Sequence, residues 1–142
     1  MSRPMTPQET RTFLATGTRT AKVATTMRDG RPHVMPIWFV LDGDDIVFNT
    51  GADTVKGRNL RRDPRVALVV DDDAPPFAFV HIAGRAQLSE EPGELLRFAT
   101  LIGGRYMGAE RADEFGRRNA VPGELLVRVT PERTIAVLDV AV

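Results

Sequence analysis

The chain has 142 residues, 42% of them hydrophobic and 27% charged, and its 19 basic and 19 acidic side chains cancel to a formal net charge of zero. That is the composition of one globular domain, 1–142, and the even balance argues against a general nucleic-acid partner. With no cysteine, disulfides, thiolate catalysis and Cys-ligated zinc are excluded; with no long apolar run and no leader pattern, the expectation is a cytoplasmic protein with no membrane partner.

In chain order, TPQETRTFLA (6–15) opens with a capping threonine, a proline and an early acid, which predicts a helix ended by Gly17. From Thr20 the period changes to two. AKVATTM, HVMPIWFVL (33–41) and IVFNT are expected strands, joined by the turns RDGRP and DGDD into a meander. Pro36 inside the second strand fits an edge or a bulge, because proline cannot donate to a ladder. Thr54 to Asp63 has the composition of a short helix. RVALVVDD is a fourth strand and FAFVHIAGRAQL a fifth, with Gly84 as a bulge or kink. EEPGELLRFATLIGGRYMG is expected to hold a helix ending near Gly103 and Gly104, followed by a second short helix in AERADEFGRR. GELLVRVTPERTIAVLDV is expected to close the chain as two strands around Thr130 and Pro131. Six or seven antiparallel strands with small helices and no βαβ rhythm favour a small barrel, a mainly β fold, over a doubly wound sheet.

The usual chemical motifs are missing. IGGRYMG has the wrong spacing for a Rossmann turn, no P-loop occurs, and no Ser/His/Asp set is visible. The only histidines, His33 and His81, lie on expected strands without carboxylates at matching spacing, so no metal site is expected. What stands out is FNTGADTVKGRNLRRDPRV (48–66). It gathers Lys56, Arg58, Arg61, Arg62 and Arg65 in a neutral chain, and Lys56 is one of only two lysines, with Lys22. An apolar strand there delivers the chain into a helix start, which offers unpaired amides and a partial positive charge to an anion such as phosphate. Thr50 and Thr54 can add hydroxyl donors and Lys56 a point charge. Equally, Asp53 or Thr54 can simply cap the helix, with the arginines as its solvated face.

Three stretches, TAKVATTMRDGRPHVMPIWFVLDGDDIVFNT, TVKGRNLRRDPRVALVVDDD and FVHIAGRAQL, together resemble the pyridoxamine 5′-phosphate oxidase-like superfamily. Within it they are most similar to the coenzyme F420-dependent oxidoreductases of the flavin/deazaflavin group. The resemblance runs over residues 6 to 138. It implies a split β-barrel homodimer with cofactor at the subunit interface, and hydride transfer from reduced deazaflavin to an unsaturated small-molecule acceptor. It also implies that the cofactor phosphate lies by the strand-to-helix turn, at Thr50, Thr54 and Lys56 with Arg58 and Asn59 close by, and that the ring lies along Met35, Pro36 and Ile37. The superfamily's FMN oxidases carry an arginine and a lysine at places that fall here near Val34 and Phe39, both apolar. That fits the singly charged phosphodiester of F420 better than the phosphomonoester of FMN, and Arg58, Arg61 and Arg62 fit its carboxylate tail. A non-catalytic F420 carrier and an FMN-dependent oxidase or flavin reductase are the alternatives. No catalytic side chain is assigned. Tyr106, His33, His81 and Lys56 are the possible proton donors, and Trp38, Phe77 and Phe79 are candidates for a substrate wall, the dimer seam or simple core.

Overall fold

Thr6 begins the first helix as its sequence predicts. In the computed structural model, which describes residues 1–142, α1 (Pro7–Ala15) carries a complete capping box: Thr6 Oγ1 accepts from the Glu9 amide at 3.1 Å, and the Glu9 carboxylate accepts from the Thr6 amide at 2.9 Å. Phe13 and Leu14 are its buried face, and Thr16, not Gly17, is its C-cap. A short β1 (Arg3–Pro4), which no sequence pattern signals, precedes it.

The meander forms as β2 (Ala21–Thr26), β3 (Pro32–Ile37), β4 (Val40–Asp42) and β5 (Asp45–Gly51), followed by α2 (Val55–Arg62), β6 (Arg65–Asp72) and β7 (Ala78–Ser89). Next come α3 (Pro92–Met107), a single 3₁₀ turn, α4 (Ala112–Asn119) and β8 (Glu124–Leu138). The expected strand 33–41 is thus two strands, broken at Trp38 and Phe39. The strand order is β3-β2-β6-β7-β8-β5-β4, with β1 pairing β8. Two strands adjacent in sequence therefore stand at opposite ends of the sheet. From Ile37 to Val40 the chain reaches at most roughly 11 Å, whereas the ends of a flat seven-strand sheet would lie about 29 Å apart. The sheet has to curl until its ends meet, which makes a barrel.

Two further expectations change. The last two strands are one, fifteen residues long, and it pairs with β5 through Val129 and with β7 from Leu126 to Val137. A bulge absorbs the proline: Ala83 pairs with Arg133 but Gly84 with Pro131. A Cβ on Gly84 would lie 2.2 Å from the Thr130 carbonyl oxygen, so only glycine lets the bent strand come this close. In addition, α3 runs through Gly103 and Gly104 to Met107. The whole has eight strands, against six or seven expected.

The inward-facing alternate residues (Val23, Phe39, Phe48, Leu68, Val80, Val127) form the main core. α1 closes one end near the start of β5, where Arg11 pairs with Asp44 at 3.6 Å. α2 follows the end of β5 and contributes Leu60 to the same core. Outside the barrel, α3 covers β5 and β8 by burying Leu95 and Phe98 against Val47 and Leu126. Full burial of a side chain such as Phe98 contributes about 1.5–3 kcal/mol. The outer face of β3, β2, β6 and β7 has no such layer. Its outward alternates include Val34, Pro36, Val69, Phe79 and His81, and Val34 is 62% exposed.

Candidate functional site

β5 delivers the chain into Gly51-Ala52-Asp53-Thr54, and α2 begins there. Thr54 is the N-cap: it accepts from the Gly57 amide at 3.1 Å and donates to the Gly51 carbonyl at 2.8 Å. Its one hydroxyl proton being committed, the 3.0 Å contact with Thr50 makes Thr50 the donor. Both hydroxyl protons are thus held inside the bend, and Thr50, only 4% exposed, reaches it through Thr54. Asp53 and Thr54 are exposed, so the bend opens to the surface. The Arg58 amide begins the intrahelical series by donating to the Thr54 carbonyl at 3.0 Å. Helix geometry leaves the Val55 and Lys56 amides without an intrahelical acceptor.

Lys56 lies in that first turn. It is half-buried, pairs with no carboxylate, and burial pushes its pKa down, while the charge of Glu124 acts the other way. The other lysine is spent: Lys22 pairs with Asp71 at 2.9 Å on the barrel's outside. Arg58 is exposed and pairs with nothing; Arg61 pairs with Glu90 at 3.3 Å. Asn59 points inward. It is 3% exposed, donates to Thr25 Oγ1 at 3.0 Å, and accepts from Arg62, which also donates to the Thr26 carbonyl. Asn59 therefore ties α2 to β2, and its amide is not presented to the surface.

Beside α2 runs a groove of about 500 Å³ lined by Arg28, Arg58, Arg61 and Arg62, with Met27 and Val55. Arg28, which no sequence feature singled out, arrives from the β2–β3 turn. A larger cavity, about 890 Å³, lies at the α1 end among Leu14, Leu41, Ile82 and Ile135. It is far less basic, because Arg3 and Arg11, its only cations, pair with Glu9 and Asp44.

Met35, Pro36 and Ile37 lie on β3, an edge strand, as the proline predicts. Met35 and Pro36 are exposed and the Ile37 side chain is buried, so at Ile37 only the backbone is accessible. Of the two positions compared with the FMN oxidases, Val34 projects outward, but Phe39 is wholly buried in the core and would not present a cation to the bend. Tyr106 is a packing residue. Its hydroxyl donates to the Arg19 carbonyl at 2.8 Å and accepts from the Phe39 amide at 3.3 Å, its ring stacks on Trp38 at 5.1 Å, and burial raises its pKa. Trp38 thereby belongs to the seam between barrel and helices. Phe77 differs: it holds a left-handed backbone (φ 66°) and is 40% exposed. His33 and His81 each bury an Nδ1 that has no partner, and they lie on strands separated by β2 and β6.

The family model of pyridoxamine 5′-phosphate oxidase matches residues 6–138, which spans the barrel from α1 to the end of β8. The chain belongs to the pyridoxamine 5′-phosphate oxidase family. Among solved structures, a conserved hypothetical protein from Mycobacterium tuberculosis shares 31% identity at a TM-score of 0.82, over 93% of this chain and 84% of that one. An F420 reductase shares 25% identity at a TM-score of 0.68, over 87% of this chain and 94% of its own. A FAD-binding protein from Mesorhizobium loti has the same fold at 18% identity and a TM-score of 0.71, over 96% and 97% of the two chains. No curated protein matches the chain. The split β-barrel fold expected from the resemblance is therefore the fold of this chain.

Proposed function

We propose that this family member is a coenzyme F420-dependent oxidoreductase that passes a hydride from the reduced deazaflavin to an unsaturated small-molecule acceptor. One observation carries the reading: Lys56, half-desolvated and paired with no carboxylate, stands in the first turn of α2, the helix whose Arg58, Arg61 and Arg62 line a groove together with Arg28. A phosphodiester followed by a string of carboxylates matches one cation at a helix start with further cations alongside. The similarity to an F420 reductase supports the same cofactor.

The residues present fit that group. Lys56 and the open amides of α2 hold the phosphate, Arg58 and Arg28 face the tail, and Thr50, Thr54 and Asn59 build the seat. The ring would lie along Met35, Pro36 and Ile37 on β3, which has β2 on one side and no strand on the other. When bound, the deazaflavin supplies the hydride-carrying carbon, and the protein's part is binding, orientation and exclusion of water. A second copy of the chain laid on the bare face of β3, β2, β6 and β7 closes the ring site from outside. Tyr106 is not the proton donor in this reading, because its hydroxyl proton is held by Arg19. His33, two residues from Met35 on β3, is the side chain to test for that role.

Side-by-side fluorescence titration with F420 and FMN tests the assignment. F420 is expected to bind at micromolar or tighter affinity and FMN more weakly. No F420 binding at high protein concentration ends the reading, and a preference for FMN replaces it with a flavin enzyme. Tight binding with no turnover across a broad set of enones and quinones makes the protein a carrier instead.

A further inference from the structure

A carboxyl group borders the proposed anion seat. Glu124, the first residue of β8, pairs across the ladder with Gly51, where β5 turns toward α2. Its Oε2 is buried and has no hydrogen-bond partner. That oxygen lies 3.6 Å from where a Cβ on Gly51 would stand, next to the methyl group of Thr54. Its other oxygen takes a long bond of 3.4 Å from the Asn49 amide, which also reaches the Asn119 carbonyl at 3.5 Å. Of the elements packed around it, α2 contributes the one charge acting on Glu124, that of Lys56; β5 contributes the neutral Asn49, and the end of α4 a carbonyl. Burial raises the Glu124 pKa and lowers that of Lys56, each opposing the other group's charge.

A buried carboxylate oxygen with no donor is costly, and it is more so when a second anion arrives next to it. We propose that Glu124 is a positioning residue of the seat, and that its Oε2 takes a proton from solvent when an anionic ligand settles beside Lys56. One negative charge and one proton enter together, so the local charge is unchanged. The neutral carboxyl then leaves Lys56 to the ligand alone. This rests on the seat proposed above.

The sign follows from linkage. Below the free protein's Glu124 pKa the proton is already present, and binding takes up none. Between the free and the bound pKa each bound ligand takes up as much as one proton, and affinity falls as pH rises, at most about tenfold per pH unit. Lys56, whose own pKa an anion restores, gives a separate uptake at higher pH.

Calorimetric titration of the full chain with F420, FMN and inorganic phosphate, in pairs of buffers of different ionisation enthalpy from pH 5 to 9, reads the proton count directly. Uptake in the lower window that is lost in Glu124→Gln supports the proposal. Any of the three probes binding without uptake in that window, or with uptake unchanged in Glu124→Gln, overturns it. If FMN or phosphate binds with uptake while F420 does not bind, the Glu124 role stands and the F420 assignment falls; if none binds, both fall. Should Glu124→Gln not fold, infrared difference spectra of the unaltered protein decide the same question. A protonated-carboxyl C=O band appearing on ligand addition supports the step, and its absence refutes it.

Discussion

Lys56 has lost part of its hydration and gained no carboxylate in return. An arriving phosphate supplies what is missing, and a charge-assisted bond of this kind contributes about 1.5–3 kcal/mol. Lys56→Met is therefore expected to weaken F420 binding roughly ten- to hundredfold, while the ligand-free protein melts no lower than the parent. Asn59 gives the opposite pattern. Its amide is spent on Thr25 and Arg62 inside the barrel's end, so Asn59→Ala leaves buried groups unpaired at a cost of about 1–3 kcal/mol. It should lower the melting temperature clearly and the F420 affinity less than Lys56→Met does. Equal affinity loss in the two variants would remove the distinction between a ligand contact and a brace. The contrast also separates what could be read from the sequence. Lys56 stands out by scarcity and by its place after a strand, which are local facts. Asn59 groups with it by adjacency, but the direction a helical side chain faces depends on what the helix packs against. Glu124 carries no signal at all, since its neighbours at the bend come from β5 and α2 and only the ladder brings them together.

At the level of elements, the strands are legible because alternation and Asp-Gly turns are local, and α1 and α2 because their caps are. The departures fall where long-range packing overrides local signals. Gly103 and Gly104 resemble a helix end, yet α3 continues, because the glycines admit α4. A Cβ on Gly103 would meet Phe115 Cβ at 2.6 Å, and one on Gly116 would lie 3.0 Å from Thr100 Cβ and 2.1 Å from its hydroxyl. An isolated helix gains about 1 kcal/mol from alanine in place of glycine. Here overpacking, about 1–3 kcal/mol, is set against that gain and has the rigid Thr100 backbone, 3.1 Å away, behind it. Gly116→Ala is expected to lower the melting temperature by about 2–4 °C per kcal/mol of net loss. A scanning-calorimetry trace at or above the parent's would mean that the two helices separate freely. The single long β8 is hidden for a related reason. Pro131 reads locally as a break, and only Gly84 on the neighbouring strand makes room for it.

For the molecule as a whole, the uneven coat of the barrel is what the sequence could not convey. Helices cover β5 and β8, whereas the outward face of β3, β2, β6 and β7 carries no helix; around the Lys22–Asp71 pair it presents Val34, Pro36, Val69 and Phe79, and Val34 is 62% exposed. The proposed second copy would cover the apolar part of this face. The proposed ring site on Met35, Pro36 and Ile37 lies on the strand that bounds it. In the proposed dimer, a second copy seated there would make cofactor binding and dimerisation one linked equilibrium, in which each strengthens the other. Val34→Glu places a charge on that face without touching the Lys56 seat. It is expected to sediment as a monomer, to keep its fold by circular dichroism, and to bind F420 far more weakly than the parent. Dilution of the parent below its dimer dissociation constant should weaken F420 in the same way, and saturating F420 should shift the sedimentation profile back toward dimer. A monomeric Val34→Glu variant with undiminished affinity would place the whole cofactor site within one chain and leave the bare face to some other purpose.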